Sequence, residues 1–232
     1  MTLSEAFEKN GLSGILSEEN ESKLIKLYGI LSEFNRGINV TAVTDETGVY
    51  VKHYADSLTV LPYAEGKKLL DVGCGGGFPS LPIAVVRKDI SVTSMDSTAK
   101  KLGLINKAKE ELGINNITTL CGRAEELCTA PLRESFDTVC ARAVAALPVL
   151  CELCIPYVKP GGVFIAMKAD DSELESSEKA IKTLGGRLER TVRLELCSDD
   201  EIMKRCLIII RKTDRTDKKY PRRYAQIKAK PL

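Results

Sequence analysis

The chain has 232 residues, 44% of them hydrophobic and 28% charged, an ordinary balance for a globular chain long enough to bury a substantial core. No run approaches the ~18 consecutive apolar residues of a membrane span, and Met1–Asn10 carries Glu5, Glu8 and Lys9 where a secretory leader would be apolar, so a cytoplasmic protein without membrane contact is expected. The net charge of +2 is unevenly spread: residues 213–232 hold seven of the 34 Lys/Arg and two of the 32 Asp/Glu, a basic tail that suits either a polyanion contact or a solvated terminus.

Leu24, Leu27, Tyr28 and Leu31 recur at helical spacing and predict a helix over residues 21–34. A second helix is predicted over 49–61, with Tyr50, Tyr54, Ser57, Leu58 and Leu61 on one side; the intervening FNRGINVTAVTD is rich in turn formers. Residues 1–62 are thus expected to form a helical cap on a core spanning 63–212, with 213–232 as the tail. After Pro62 the pattern changes. LLDVG reads as a buried strand ending in a glycine loop, 79–87 as a helix, and 90–95 as a strand. Ser97 is the expected cap of the next helix, whose Leu102, Ile105, Ala108 and Leu112 share a face and which Gly113 stops. Strands over 117–120 and 136–141, a helix over 144–157, a turn at Lys159–Gly162 and a strand over 163–168 follow. Strands alternating with helices imply a parallel sheet with right-handed crossovers. The final runs, 188–196 and 203–211, are joined by CSDDEI, too short for anything but an antiparallel hairpin.

Eight cysteines are present, several inside apolar runs, where cysteine acts as a small apolar residue. Cys151 and Cys154 form a C-x-x-C pair, but there is no second pair at zinc-ribbon spacing and one histidine, His53, in the whole chain. Structural cysteines and no metal site are expected.

The chemistry concentrates in Asp71-Val72-Gly73-Cys74-Gly75-Gly76-Gly77-Phe78. Glycines after a strand allow a tight turn and close approach of a ligand, at the carboxyl ends of the strands where α/β sheets bind ligands. Phe78 stands where the dinucleotide fingerprint requires its third glycine. Asp96 ends the next strand, placed to accept both ribose hydroxyls of an adenosine, whether of NAD or of S-adenosylmethionine; capping of the following helix is its plainer role. Cys121-Gly122-Arg123-Ala124-Glu125 follows the third strand and Ala141-Arg142-Ala143 the fourth, so Arg142 is positioned for chemistry or for holding an anion.

These residues, with Asn39-Val40-Thr41, His53, Asp56-Ser57-Leu58, Lys100-Lys101, Met167-Lys168, Tyr220-Pro221-Arg222-Arg223 and the final Pro231-Leu232, run in family order over residues 35–232, and the chain resembles the glucose-inhibited division protein B (RsmG) family of 16S ribosomal RNA guanine-N7 methyltransferases. The resemblance implies a class I S-adenosylmethionine-dependent fold: a Rossmann-like α/β sheet of seven mostly parallel strands, ending in an antiparallel hairpin, with an N-terminal helical extension. It puts cofactor contacts on Gly73, Phe78, Ala124, Glu125 and Arg142; Asp71, Gly75, Gly77 and Asp96 join them as loop and ribose positions. Arg142 is the expected catalytic residue. Lys168, Arg222, Arg223, Lys228 and Lys230 are expected to neutralise phosphates of the partner, 16S RNA, the 30S subunit or an assembly intermediate, and the protein to act as a monomer. Tyr220 and Tyr224 would stack on a base or dock the tail on the core, and His53 and Asp56 would support the site from the N-terminal cap or, more plainly, share a buried hydrogen bond. Ser80, Leu102 and Ala169 depart from the family pattern, the second in place of a basic residue.

The residue types also bear on the methylated atom. The Asn/Asp-Pro-Pro-aromatic motif of amine methylation is absent after the fourth strand, and Cys140 sits within a strand rather than in a nucleophile motif. Guanine N7 has a lone pair and no proton to lose, so its methylation needs alignment and no general base. The alternatives are a small-molecule methyltransferase, an NAD(P)-dependent oxidoreductase, and a non-catalytic RNA-binding assembly factor.

Overall fold

The apolar runs between Lys67 and Lys212 become one seven-stranded sheet in the computed structural model, which describes residues 1–232. The strands are β1 Lys68–Val72, β2 Ser91–Asp96, β3 Ile117–Cys121, β4 Phe136–Arg142, β5 Val158–Lys168, β6 Gly186–Cys197 and β7 Ile202–Lys212, in the order β3-β2-β1-β4-β5-β7-β6. The first five are parallel; β7 runs antiparallel to both β5 and β6, as the short link demands. The expected turn at Lys159–Gly162 is instead a bulge within β5, where the register against β4 jumps between the Phe136 and Thr138 pairings. β1 and β4 lie side by side while their crossovers leave in opposite directions, which makes their carboxyl ends the crevice of the sheet.

Successive residues of a strand face opposite sides, and the two cores follow that alternation. Leu69, Cys140, Ile165 and Ile209 join a 39-residue cluster on one face, while Leu70, Val139, Phe164 and Ile208 join a 25-residue cluster on the other. The first is larger because the N-terminal helices pack there. These are α1 Leu3–Lys9, α2 Glu18–Gly37, and α3, which comprises a turn Glu46–Gly48, a π-helical stretch Val49–Ala55 and a last turn Asp56–Leu58. Two more helices complete that layer, α4 Ser80–Val86 and α5 Ala99–Leu112, whereas α6 Ala124–Leu127, leaving β3, packs on the other face. The opposite face carries α7 Leu147–Cys154, α8 Leu174–Thr183 and α9 Tyr224–Ala229. No helix is long and apolar enough to cross a membrane.

Several expectations need correction. Ser97 does not cap α5: Thr98 is the N-cap, its side chain makes no capping bond, and its amide donates to Asp96 Oδ1 at 2.8 Å. Asp96 wins because its carboxylate is already fixed at the strand end. The helix predicted over 144–157 starts only at Leu147, with Pro148 in its first turn, and tightens into a 3₁₀ turn, Ile155–Tyr157. Cys151 and Cys154 are fully buried on α7, in the second core. Leu102, in place of a basic residue, also faces the core.

Nor is the tail a solvated terminus. Ile227 of α9 is buried against the second core. Arg133 donates through Nη1 to Tyr220 O at 2.6 Å and through Nη2 to Thr216 O at 2.9 Å. The buried Lys212 ammonium bonds Leu184 O and the Thr216 hydroxyl, and its burial pulls its pKa down to about 8.

Candidate active site

The glycine loop leaves β1 through residues that only glycine fits. Gly73 has φ +72°, and a Cβ there would lie 2.5 Å from Val144 Cγ2; Gly77 has φ +91°, and its Cβ would meet Leu81 at 2.6 Å. All but one of its amides are spoken for. Gly73 and Cys74 both donate to Met95 O, Gly77 and Phe78 to Cys74 O, and Gly75 to Asp96 Oδ2 at 2.9 Å. A diphosphate needs a run of free N–H groups at such a loop, and this one does not supply it.

What the loop does frame is a cavity of about 290 Å³ at the ends of β1, β2 and β3. Gly73, Asp96, Ala124 and Glu125 line it, with Lys101 and Arg123 as cations and Val72, Val144 and Leu153 as apolar wall. Asp96 holds the loop and Thr98, yet a carboxylate accepts about four hydrogen bonds, which leaves capacity for a ribose diol. Acids, apolar wall and the absence of a phosphate cradle fit an adenosyl group with a cationic centre better than a dinucleotide.

The remaining expected cofactor residues stand behind or beside this cleft. Asp71 is wholly buried beneath the loop, where its Oδ2 accepts the Ser80 amide at 3.0 Å and its Oδ1 has no partner. Phe78 stacks on His53, with centroids 4.5 Å apart and an interplanar angle of 16°. Gly75 and Gly77 shape the turn without lining the cleft.

Arg142 opens onto a second cavity of about 520 Å³, shared with Lys52, His53, Asp56, Lys168 and Arg205. Ala143, at φ +55°, lines both cavities and so marks where they meet. The expected His53–Asp56 bond is not formed. His53 Nε2 pairs with Thr41 Oγ1 at 2.7 Å, whereas Asp56 accepts Arg142 Nη1 at 2.8 Å and Arg205 Nε at 3.2 Å. Two guanidiniums are stronger partners for a buried carboxylate than a neutral imidazole. Lys168 pairs with Glu173 at 2.7 Å.

The tail residues divide. Arg222 expects phosphate by composition, but its Nε and Nη2 clasp the fully buried Glu152, the latter at 2.6 Å. Arg223, Lys228 and Lys230 are exposed. Arg205 was missed in the sequence, though an arginine two residues from both Met203 and Leu207 on a core-facing strand side signals a buried carboxylate.

The site contains two opposed proton switches. Burial, reinforced by Arg142, pulls His53 down to about 4; burial pushes Asp71 up to about 7, against the Ser80 hydrogen bonds. As pH falls from 6.5 towards 4, the unfolded chain binds a proton at His53 that the folded one refuses, and stability is lost. From 7 towards 4 the folded chain binds one at Asp71 that the unfolded one refuses, and stability is gained. In urea titrations at pH 7 and pH 5, wild type will show these effects cancelling. His53→Gln will gain roughly 2 kcal/mol on that acidification relative to wild type, and Asp71→Asn will lose a similar amount. Parallel pH profiles for all three proteins would contradict both assignments.

Solved structures with this fold include the precorrin-6y C5,15-methyltransferase of Geobacter metallireducens (TM-score 0.52, 14% identity, 77% of this chain and 92% of that one). The M. jannaschii TYW2 structure in complex with AdoMet also matches (TM-score 0.52, 13% identity, 64% and 70%). At such identities they bear on the fold alone, a class I methyltransferase fold. The sequence relatives are much nearer. Ribosomal RNA small subunit methyltransferase G of Clostridium beijerinckii is 41% identical over 99% of this chain and 97% of its own length. Its namesake from Lactobacillus delbrueckii subsp. bulgaricus is 42% identical over 94% and 93%. The GidB family model, described as rRNA small subunit methyltransferase G, matches residues 20–200. With that span and those identities, the chain belongs to the rRNA small subunit methyltransferase G family.

Proposed function

We propose that this chain transfers a methyl group from S-adenosylmethionine to N7 of a guanine in 16S ribosomal RNA, acting as a cytoplasmic monomer on the RNA, the 30S subunit or an assembly intermediate. The observation that carries this reading is the pair of cavities meeting at Ala143, one with the acids of an adenosine site and the other with the cations Lys52, Arg142, Lys168 and Arg205 set among Asp56, Asp170 and Glu173. S-adenosylmethionine, when bound, supplies an electrophilic methyl group on a sulfonium. Asp96 and Glu125 would hold its adenosyl portion and Gly73 and Ala124 would shape the wall. Arg142, clamped by Asp56, offers donors to a guanine carbonyl or a phosphate while N7 stays free to attack. His53 is tied to Thr41 and held neutral, so no residue here needs to act as a base, which suits a nucleophile that carries no proton.

Purified protein incubated with S-adenosylmethionine and unmethylated 16S RNA or 30S subunits should yield one 7-methylguanosine in nucleoside mass spectrometry. Methylation of another base, or none with any of these substrates, would reject the proposal. Arg142→Ala should slow single-turnover methyl transfer by about 100-fold, the usual cost of losing one oriented charge at a reacting centre; a rate within a few-fold of wild type would remove Arg142 from the chemistry.

A further inference from the structure

Tyr224 reaches the adenosyl cleft from the far end of the chain. It opens α9 and lines the same cavity as Asp96, Gly122 and Ala124. The Arg123 guanidinium lies over its ring, 5.5 Å from the centroid, which fixes the tyrosine at the end of the cleft formed by the loop after β3. The segment that delivers it is anchored on both sides. Arg222 clasps Glu152 two residues before, Arg133 holds the Tyr220 carbonyl, and Ile227 is buried three residues after. A terminus held at three points with one aromatic ring on a ligand-sized cavity has a use for that ring.

A ring at this place offers flat apolar surface, and the flat apolar part of an adenosyl group is its base. We infer that Tyr224 is a cofactor-binding residue, an adenine wall contributed by the C-terminal segment and positioned by Arg123. Cofactor affinity then depends on the tail being docked, so the basic tail serves the cleft as well as any RNA contact. The inference rests on the reading of this cleft as the adenosyl site.

Calorimetry with S-adenosylhomocysteine and with adenosine tests it on the full chain. Tyr224→Phe should bind both within about twofold of wild type, since the ring is kept. Tyr224→Ala should bind both about tenfold more weakly, the equivalent of one lost base–aromatic stack. Equal affinity of the alanine variant and wild type overturns the inference; failure of wild type itself to bind either ligand overturns the reading of the cleft instead. The chain contains no tryptophan, so Tyr224→Trp places a single tryptophan at the wall, which red-edge excitation reads apart from the tyrosines. Its emission should change on titration with S-adenosylhomocysteine, with the same midpoint as the calorimetric curve. This arm holds even if the alanine variant folds poorly, and an unchanged spectrum at saturation overturns the inference.

Discussion

Asp56→Ala should lower the free energy of unfolding by about 3 kcal/mol and slow single-turnover methyl transfer by about 100-fold, while affinity for S-adenosylhomocysteine stays within about twofold of wild type. The carboxylate is 6% exposed and accepts two guanidiniums, Arg142 at 2.8 Å and Arg205 at 3.2 Å. Removing it leaves two like charges facing each other across the hole. Breaking a buried ion pair costs about 3–5 kcal/mol, and the lower end applies because Arg142 and Arg205 retain 16% and 25% exposure, through which water offsets part of the loss. In a chain of this size that is roughly 6–12 °C in thermal midpoint, readable by circular dichroism. The rate falls for a separate reason: Asp56 is the anionic partner that aims Arg142 at the junction of the cavities, where the guanidinium also meets the Lys52 carbonyl, His53 Nδ1 and the face of Phe78. Cofactor affinity is spared because Asp56 lines the second cavity and not the first. If affinity for S-adenosylhomocysteine fell in step with the rate, the division of labour between the cavities would be wrong.

The same carboxylate shows where the sequence stops being legible. Part of the proposed adenosyl cleft is encoded locally. A short apolar run ending in Asp71-Val72-Gly73 and an acid ending the next strand place Gly73 and Asp96 by neighbours a few residues away, and both line the cavity. The partner of Asp56 is not local. It sits three residues from His53 in a helix, but its ligands come from β4 and β7, 86 and 149 residues on. Nothing in a helical spacing announces the π-helical turn that aims it there.

Secondary structure fails for related reasons. The capping box of Thr2 and Glu5 was present in the sequence and sufficed to start α1, yet the charged face of that helix hid its three buried residues, Leu3, Ala6 and Phe7. α8 buries only Ser177, Ala180 and Ile181, too few apolar positions to stand out from a polar loop. In both cases tertiary packing supplies what periodicity does not.

Arg222 is the one tail cation whose charge pattern misleads, and Arg222→Ala tests it. Seven cations in twenty residues suit a polyanion, so Arg222 and Arg223 look equivalent in the sequence. In the fold they are opposites. Glu152 lies within the apolar LPVLCELC of α7 with no exposed side chain, and it accepts the Arg222 backbone amide at 2.8 Å as well as the guanidinium in a two-pronged grip. Arg222→Ala leaves that carboxylate buried with the amide alone, and stability should drop by about 3 kcal/mol. Glu152→Gln, Arg222→Ala together should recover part of the loss, because the uncompensated charge has gone. Arg223 is exposed, so Arg223→Ala should leave the thermal midpoint unchanged and weaken RNA binding alike across sequences, lowering the slope of log affinity against log salt by about 1. The reverse result, a shallower salt slope for Arg222→Ala at an unaltered midpoint, would return Arg222 to the RNA and leave Glu152 without its counter-ion.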